Sequence, residues 1–177
     1  MNLDQLEDSL IQGGSNYWSL LKKPQMHQLR EAVETILREN IPGDLIETGV
    51  WRGGACVMMR EVLRAHNDTT RKVYLADSFC GLPKPDPDKY PADCDDLHWT
   101  HEHLRVSLDE VKSHFDLPDP QVVFVQGWFR DTLPKLDVTL SILRLDGDMY
   151  ESTWDALTNL YDKLSPGGFA IVDDWCL

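Results

Sequence analysis

The stretch Asp44-Leu-Ile-Glu-Thr-Gly-Val-Trp-Arg-Gly-Gly-Ala55 decides how this chain folds. An apolar run ends in Glu47, a loop with three glycines follows, and the next eight residues have helical spacing. A buried strand, a tight glycine turn and a helix N-terminus, in this order, form the nucleotide-binding corner of a doubly wound α/β sheet. Glycine suits such a turn because it adopts positive φ and lets a ligand approach the backbone. An ordinary strand–helix turn is the alternative interpretation of this stretch alone.

The composition limits the classes of protein to which the chain can belong. Its 177 residues, 42% of them hydrophobic, are enough for one well-buried domain, which we expect to cover residues 1–177. The net charge of −13 argues against nucleic acid or an anionic membrane as the main partner. No apolar run approaches the ~20 residues of a membrane span, and the acidic start is not a signal peptide. The four cysteines form no Cys-x-x-Cys pair, so we expect reduced thiols in a cytoplasmic protein.

Strands and helices alternate along the chain, which predicts a mostly parallel sheet. Helical spacing predicts helices over residues 25–39, 53–66 and 152–164, and capping-box spacing from Ser107 to Glu110 predicts a shorter helix to about residue 115. The predicted strands cover residues 44–48, 72–77, 121–126, 140–146 and 169–173. Residues 81–97 are rich in proline and acids and lack periodicity, which predicts a loop.

Acids and amides follow the carboxyl ends of the predicted strands, the edge at which such sheets bind ligands. In chain order these ends read Glu47-Thr48-Gly49, Asp77-Ser78-Phe79, Gln126-Gly127-Trp128, Asp146-Gly147-Asp148 and Asp173-Asp174-Trp175. At the second of these ends, Asp77 can accept hydrogen bonds from both hydroxyls of a ribose, or it can be a turn or capping residue. Phe79 and Trp128 can sandwich an aromatic base, although both also suit the core.

The glycine spacing bears on the choice of cofactor. Gly49, Gly53 and Gly54 read G-x-x-x-G-G, which differs from the G-x-G-x-x-G of dinucleotide enzymes. A wider loop with Glu47 at its start suits a cofactor that has an amino-acid end and no pyrophosphate. This pattern favours S-adenosylmethionine over NAD.

Asp146, Asp173 and Asp174 end neighbouring predicted strands, so their carboxylates can converge. Clustered anions repel one another unless a cation or protons neutralise them, and a hard divalent ion such as Mg²⁺ prefers oxygen ligands. The alternative is that some of these acids cap loops or point into water.

A second cluster, His98, His101 and His103 beside Asp95 and Asp96, has ligands that suit a transition metal. Because the cluster has no second well-spaced group of ligands, the sequence favours a solvated loop or helix start over a metal site.

Four motifs follow one another along the chain: IETGVWRGGACVMMR at residues 46–60, ADSFCGLP at 76–83, LDGDMYEST at 145–153 and LSPGGFAIVDD at 164–174. They resemble the macrocin O-methyltransferase family, and the resemblance extends from about Tyr17 onward. Members methylate sugar hydroxyls on macrolide and aminocoumarin natural products, using S-adenosylmethionine and Mg²⁺. The resemblance therefore implies a Rossmann-like class I S-adenosylmethionine-dependent methyltransferase that acts on a small glycosylated substrate in antibiotic biosynthesis.

Carried over by position, the resemblance also implies roles for individual residues. The methionine end of the cofactor would be held by Glu47, Thr48, Gly49, Gly53 and Gly54, the ribose by Asp77 and Ser78, and the adenine would lie near Gln126, Gly127 and Trp128. Asp146, Asp173 and Asp174 would hold the metal, and Asp148 would act as the base that accepts the proton from the sugar hydroxyl.

The chain departs from the family's pattern at its C-terminus. Members of this fold normally continue past the fifth strand with another helix and an antiparallel hairpin, whereas this chain ends at Leu177. We therefore expect the fifth strand to be an exposed edge that a partner, such as a second copy in a homo-oligomer, covers. A truncated, catalytically silent S-adenosylmethionine-binding module is the alternative function. An NAD-dependent oxidoreductase is disfavoured by the glycine spacing.

Overall fold

A five-stranded parallel sheet organises residues 2–173, which are the residues that the computed structural model describes. The strands are β1 Asp44–Thr48, β2 Val73–Asp77, β3 Val122–Gln126, β4 Leu140–Leu145 and β5 Leu164–Val172. Their spatial order is β3-β2-β1-β4-β5, and each neighbouring pair is parallel. The predicted parallel α/β sheet is confirmed.

Helices cover both faces of this sheet. They are α1 Leu3–Leu10, α2 Lys23–Arg38, α3 Gly54–Ala65, α4 Leu108–Lys112, α5 Phe129–Thr132 and α6 Tyr150–Leu160. One buried apolar cluster joins α1, α2 and α3 to side chains such as Leu45 and Leu75, and a second joins α6 to Ile46 and Leu143. Because successive side chains of a strand point to opposite faces, these two clusters lie on opposite sides of the sheet, as in a doubly wound fold.

The helices differ from the prediction mainly at their ends. Helix α2 begins two residues earlier than predicted, because Pro24 is compatible with the first helical turn. Helix α6 begins at Tyr150 and ends at Leu160, whereas the periodicity predicted residues 152–164. Helix α5 was not expected, since four residues are too few to show a helical period.

Strand β5 is longer than predicted and contains a bulge. Its pairing with β4 steps from Leu140 opposite Leu164 to Ile142 opposite Phe169, so the chain inserts extra residues at Pro166-Gly167-Gly168. The sequence predicted a turn that precedes the strand at this point, and the structure shows a bulge within it. In the part of the chain that the structure describes, β5 pairs only with β4 and is an edge of the sheet.

The predicted loop is confirmed as part of a long irregular segment, residues 78–107, which we call the β2–α4 segment. It contains three short 3₁₀ turns, Pro91–Asp93, His98–Thr100 and Glu102–Leu104. Two further 3₁₀ turns, Leu133–Lys135 and Tyr161–Lys163, follow α5 and α6. Over residues 2–173, none of the helices combines the length and apolar character needed to cross a membrane.

Candidate active site

A cleft of about 280 Å³ opens at the carboxyl ends of the strands. Its floor is the set of turns that follow the strands, and the β2–α4 segment and α6 form its walls. Eight residues singled out from the sequence line it: Gly49, Asp77, Ser78, Gly127, Trp128, Asp146, Asp148 and Asp173. The sequence therefore identified residues from all five strand ends that the fold brings to one cleft.

Other residues singled out from the sequence do not line the cleft themselves. Among the described residues these are Glu47, Thr48, Gly53, Gly54, Phe79 and Gln126. Phe79 is 7% exposed and packs edge-on against Phe124, with ring centroids 6.4 Å apart, so it belongs to the apolar core and does not face Trp128 across the cleft. Of the two roles that the sequence allowed for Phe79, stacking on a base or packing in the core, the structure shows packing in the core. Asp174 lies outside the described residues.

Close packing explains two of the three glycines in the loop after β1. Gly53 has φ +80°, and a Cβ there would lie 3.0 Å from the Val111 side chain. A Cβ on Gly54 would lie 2.6 Å from the backbone oxygen of Trp18, which accepts a hydrogen bond from the Gly54 N–H. These glycines therefore let the loop and α3 pack closely against neighbouring segments.

Gly49 has a direct relation to the cleft. Its φ is +86°, and a Cβ at this position would lie only 1.8 Å from the backbone oxygen of Asp146. The turn after β1 and the turn after β4 therefore touch through backbone atoms, at a distance that only glycine permits.

Asp77 is both a turn residue and a cleft residue. Its Oδ2 accepts a hydrogen bond from the Val50 N–H at 2.8 Å, and its Oδ1 accepts one from the Phe79 N–H at 2.8 Å. Burial raises the pKa of Asp77, and these backbone donors oppose that rise. The carboxylate thereby fixes the turn after β1 to the turn after β2, and the neighbouring Ser78 hydroxyl donates to the Gly81 carbonyl at 2.6 Å.

Arg144, which sequence reasoning missed, organises the acids of the site. It lies within β4, and its side chain is 1% exposed. Nη1 donates to Glu47 Oε1 at 2.5 Å and to Asp146 Oδ2 at 2.6 Å, while Nη2 donates to Asp173 Oδ1 at 2.7 Å. An arginine inside an otherwise apolar central strand was the available signal, because a buried cation requires anionic partners.

Glu47 is held in a buried polar network beneath the cleft. Its Oε2 accepts a hydrogen bond from Cys56 Sγ at 2.9 Å, and its side chain is 2% exposed. Burial raises the pKa of Glu47 to about 7, against the opposing charge of Arg144. Burial and the adjacent Glu47 also raise the pKa of the Cys56 thiol, which favours the protonated form that donates to Glu47.

Asp146 and Asp173 are two described carboxylates of the cleft that could help to hold a divalent cation. Arg144 donates one hydrogen bond to Asp146 Oδ2 and one to Asp173 Oδ1, and both of these residues line the cleft. Mg²⁺ usually keeps several waters and needs only one or two carboxylates from the protein, so this pair suits it. Within residues 2–173, no group of three or more His, Cys, Asp or Glu side chains is arranged to hold a metal. A three-carboxylate site would therefore need Asp174.

Asp148 lies in the cleft wall on a strained turn. Its φ is +60°, in the left-handed region that non-glycine residues seldom adopt. The preceding Gly147 is buried, and a Cβ there would lie 2.6 Å from the Ser152 Cβ on α6. The start of α6 thus packs closely against Gly147, the residue that precedes Asp148.

The three histidines of the β2–α4 segment have their rings in contact, edge-to-face between His98 and His101 and stacked between His101 and His103. The ring centroids of His98 and His101 are 5.4 Å apart, as are those of His101 and His103. His98 Nδ1 lies 3.0 Å from Asp96 Oδ2. His101 and His103 are exposed, which agrees with the solvated loop that the sequence favoured.

Comparison with known proteins places these features in a family. Residues 15–177 match the model of the family described as macrocin-O-methyltransferase (TylF). The chain is 49% identical over 168 residues to demethyldecarbamoylnovobiocin O-methyltransferase from Streptomyces niveus, a match that covers 92% of this chain and 64% of that protein. It is 50% identical over 158 residues to 8-demethyl-8-(2,3-dimethoxy-alpha-L-rhamnosyl)-tetracenomycin-C 4'-O-methyltransferase from Streptomyces olivaceus, covering 86% of this chain and 60% of that protein. The chain thus spans less than two thirds of the length of these relatives.

A solved structure agrees with this assignment. The O-methyltransferase NovP superimposes with a TM-score of 0.88 at 47% identity, over 97% of this chain and 73% of that one. The fold is therefore the methyltransferase fold, with the parallel sheet and flanking helices described above.

Proposed function

This chain belongs to the macrocin-O-methyltransferase (TylF) family, and on that premise we propose that it transfers a methyl group from S-adenosylmethionine to a sugar hydroxyl of a glycosylated natural product. Two relatives at 49% and 50% identity are O-methyltransferases whose names specify a novobiocin-type and a rhamnosyl-tetracenomycin acceptor. We propose an acceptor of the same chemical class.

The observation that carries this proposal is the shared cleft. Gly49, Asp77 and Trp128 line it together with the acids Asp146, Asp148 and Asp173. A methyl transfer to a hydroxyl needs a nucleoside site next to a group that can take up a proton and groups that stabilise negative charge. Because the strand ends deliver both sets to one cleft, the two reactants can be held against each other.

The proposed cofactor contacts follow the turns. When bound, S-adenosylmethionine supplies an electrophilic methyl group on a sulfonium centre. We propose that the turn after β1 receives its methionine end, with Gly49 at the cleft and Glu47, Thr48, Gly53 and Gly54 shaping the turn from beneath. Asp77 and Ser78 would face the ribose, and Gln126, Gly127 and Trp128 the adenine. Phe79 supports this wall from the core.

We include Mg²⁺ in the proposal because carboxylate oxygens are ligands that it prefers. When bound, Mg²⁺ supplies positive charge that stabilises the developing charge on the reacting oxygen. Asp146 and Asp173, together with Asp174, would hold it. Arg144 orients the first two of these carboxylates and neutralises part of their charge.

We propose Asp148 as the base. A sugar hydroxyl is a poor nucleophile until its proton leaves, and a carboxylate within hydrogen-bond reach can accept that proton in the transition state. Asp148 lies in the cleft two residues beyond Asp146. The cleft walls would hold the acceptor hydroxyl against the cofactor's methyl group and limit the access of competing water.

Calorimetry combined with a transfer assay tests the proposal. Calorimetric titration with S-adenosylmethionine, with and without MgCl₂, measures binding. Incubation with demethyldecarbamoylnovobiocin or the rhamnosyl-tetracenomycin acceptor, followed by mass spectrometry, measures a gain of one methyl group. We expect cofactor binding and Mg²⁺-dependent transfer to at least one acceptor. Binding without transfer to any glycosylated acceptor would instead match the silent cofactor-binding module, and no cofactor binding at all would refute both functions.

A further inference from the structure

Asp93, an acid of the β2–α4 segment, is buried against the start of α6. It is 3% exposed although the segment around it is largely exposed. Its Oδ1 accepts a hydrogen bond from the Tyr150 N–H at 2.8 Å, and its Oδ2 accepts one from the Glu151 N–H at 2.9 Å. We propose that Asp93 is a positioning residue that holds Asp148 in the geometry that methyl transfer requires. This inference rests on the proposed function.

The two hydrogen bonds replace a local helix cap. The first N–H groups of a helix have no partners within the helix, and the N-cap residue Met149 has no side-chain cap. Asp93 supplies both acceptors from a position 57 residues earlier in the chain. Its negative charge also suits the positive end of the helix.

Asp148 needs such support because of its backbone conformation. It stands two residues before Tyr150, the first residue of α6, at φ +60°. A non-glycine residue keeps a left-handed conformation only where the surrounding structure imposes it. Without the anchored N–H groups of Tyr150 and Glu151, the turn can relax and carry the Asp148 carboxylate away from its position in the cleft.

A second contact docks the same segment on α6. The Tyr90 hydroxyl lies 3.4 Å from Asp155 Oδ1 in a buried hydrogen bond, and the Tyr90 ring lies 6.2 Å from the Tyr150 ring. Gly81, Leu82, Pro83 and Leu104 of the same segment line the cleft. The segment therefore forms one wall of the cleft and, through Asp93, fixes the residue proposed as the base on another wall.

The test compares three variants. Asp93→Ala removes both acceptors, Asp93→Asn keeps one acceptor oxygen, and Asp95→Asn removes a carboxylate from an exposed position in the same segment. For each, kcat and KM are measured with S-adenosylmethionine and whichever of the two relatives' acceptors the unmodified chain methylates. Cofactor affinity is measured by calorimetry, and hydrogen exchange is followed at the Tyr150 and Glu151 amides.

We expect Asp93→Ala to lower kcat by about 10- to 100-fold, the scale of a displaced catalytic group, with cofactor affinity within about twofold of the unmodified chain. Exchange at the two amides accelerates. Asp93→Asn shows a smaller loss of kcat and Asp95→Asn none. If Asp93→Ala does not fold, kcat and amide exchange of Asp93→Asn are compared with those of the unmodified chain instead.

The inference would be overturned, while the proposed function stands, by an unchanged kcat in the Asp93 variants or by a lowered kcat without faster exchange at Tyr150 and Glu151. An equal loss in Asp95→Asn would also overturn it, since the effect would then be one of segment charge. An unmodified chain that methylates no acceptor refutes the proposed function itself, and with it the catalytic role of Asp93.

Discussion

The carboxylate of Glu47 on β1 accepts a 2.5 Å hydrogen bond from the guanidinium of Arg144 on β4, and neither side chain is more than 2% exposed. Transferring two charges out of water is costly, and their mutual attraction offsets this cost only where the remaining polar atoms are also satisfied. Here Cys56 donates to Glu47, and Asp146 and Asp173 accept from Arg144. The pair is therefore the centre of a hydrogen-bonded network that joins β1 to β4 and to the turn after β5.

Removing Arg144 should destabilise the fold strongly. Arg144→Met leaves the buried Glu47 carboxyl without its partner, so that it must either stay an unpaired anion or take up a proton, and we expect a loss of about 3–5 kcal/mol in the free energy of unfolding. Urea unfolding followed by circular dichroism measures it. Arg64→Met, at a side chain that is 47% exposed, is the control and should cost less than about 1 kcal/mol.

Adding Glu47→Gln to Arg144→Met should recover part of that loss, since the double variant no longer buries an unpaired carboxylate. Equal unfolding free energies for Arg144→Met and Arg64→Met would contradict the network described here.

The close approach at Gly49 gives a second prediction. Gly49→Ala puts a methyl group 1.8 Å from the Asp146 carbonyl oxygen, so the β1 and β4 turns must separate. We expect a loss of more than about 3 kcal/mol in unfolding free energy, beyond the ordinary range for one substitution. Gly13→Ala is a matched control because Gly13 has φ +88° with no atom within 4 Å of the added Cβ. It should cost only the left-handed strain, about 1–2 kcal/mol. Similar losses in both variants would show that strain alone matters at Gly49.

These two sites show what the sequence could and could not reveal. The glycine loop after Glu47 has a local signal, since spacing and composition depend on neighbours in the chain. The same is true of the five strands and of α2 and α3. The partner of Glu47 is 97 residues away, so no local pattern indicates it. Arg144 did carry a sign of its role, a charge inside a buried strand, but not the identity of its three partners.

Asp119 should account for part of the stability that the protein loses at acidic pH. Burial tends to raise its pKa, but the hydrogen bond from Arg60 at 2.7 Å, the Gln121 N–H and the nearby positive charges lower it below its ordinary value. An acid with a lowered folded-state pKa contributes stability above its unfolded pKa of about 4, and this contribution is lost as the pH falls through the folded value.

We therefore expect Asp119→Asn to cost about 1–3 kcal/mol at pH 7, with the difference from the unmodified chain shrinking below about pH 4. Urea unfolding at pH 7, 5, 4 and 3 measures this. Asp137→Asn, at an exposed acid, is the control and should change little at any pH. A difference that grows on acidification would mean that the sign of the Asp119 shift is wrong.

Replacing the proposed base should separate chemistry from binding. Asp148→Asn keeps the size of the side chain but cannot accept the proton as a carboxylate does, and we expect kcat to fall by about 10²- to 10⁴-fold. Calorimetry should show nearly unchanged affinity for S-adenosylmethionine. Asp162→Asn, on the exposed surface, should keep full activity. Unchanged turnover in Asp148→Asn would require a different base.

Removal of the divalent ion is the fifth test. We expect EDTA to suppress methyl transfer and added MgCl₂ to restore it, because Asp146 and Asp173 present paired carboxylates at the cleft. Calorimetric titration with MgCl₂ gives a readout that does not depend on turnover. Asp173→Asn should weaken this binding by about 10-fold or more, since even the loss of a group that supports a ligand costs about 10- to 100-fold at other metal sites. Full activity in EDTA would remove Mg²⁺ from the proposal.

In the β2–α4 segment, the sequence does not indicate which acid is buried. Its lack of periodicity correctly indicated an irregular segment, but its acids are alike in sequence. Nothing local distinguishes the buried Asp93 from the exposed Asp95, because the difference comes from where α6 begins. Phe79 was ambiguous for a similar reason, since an aromatic residue at a strand end suits both a ligand and the core.

The guanidinium of Arg144 binds Glu47, Asp146 and Asp173 at once. This has a practical consequence for engineering the cleft toward new acceptors. Substitutions at these three carboxylates are coupled, since altering any one of them disturbs the other two through Arg144. Most variants in a mutational library of the inner cleft will therefore lose the whole cluster. The rim offers more freedom: Leu82, Pro83 and Leu104 face the cleft without belonging to that cluster. New acceptor preferences are therefore best sought by diversifying the rim while the arginine and its three acids stay untouched.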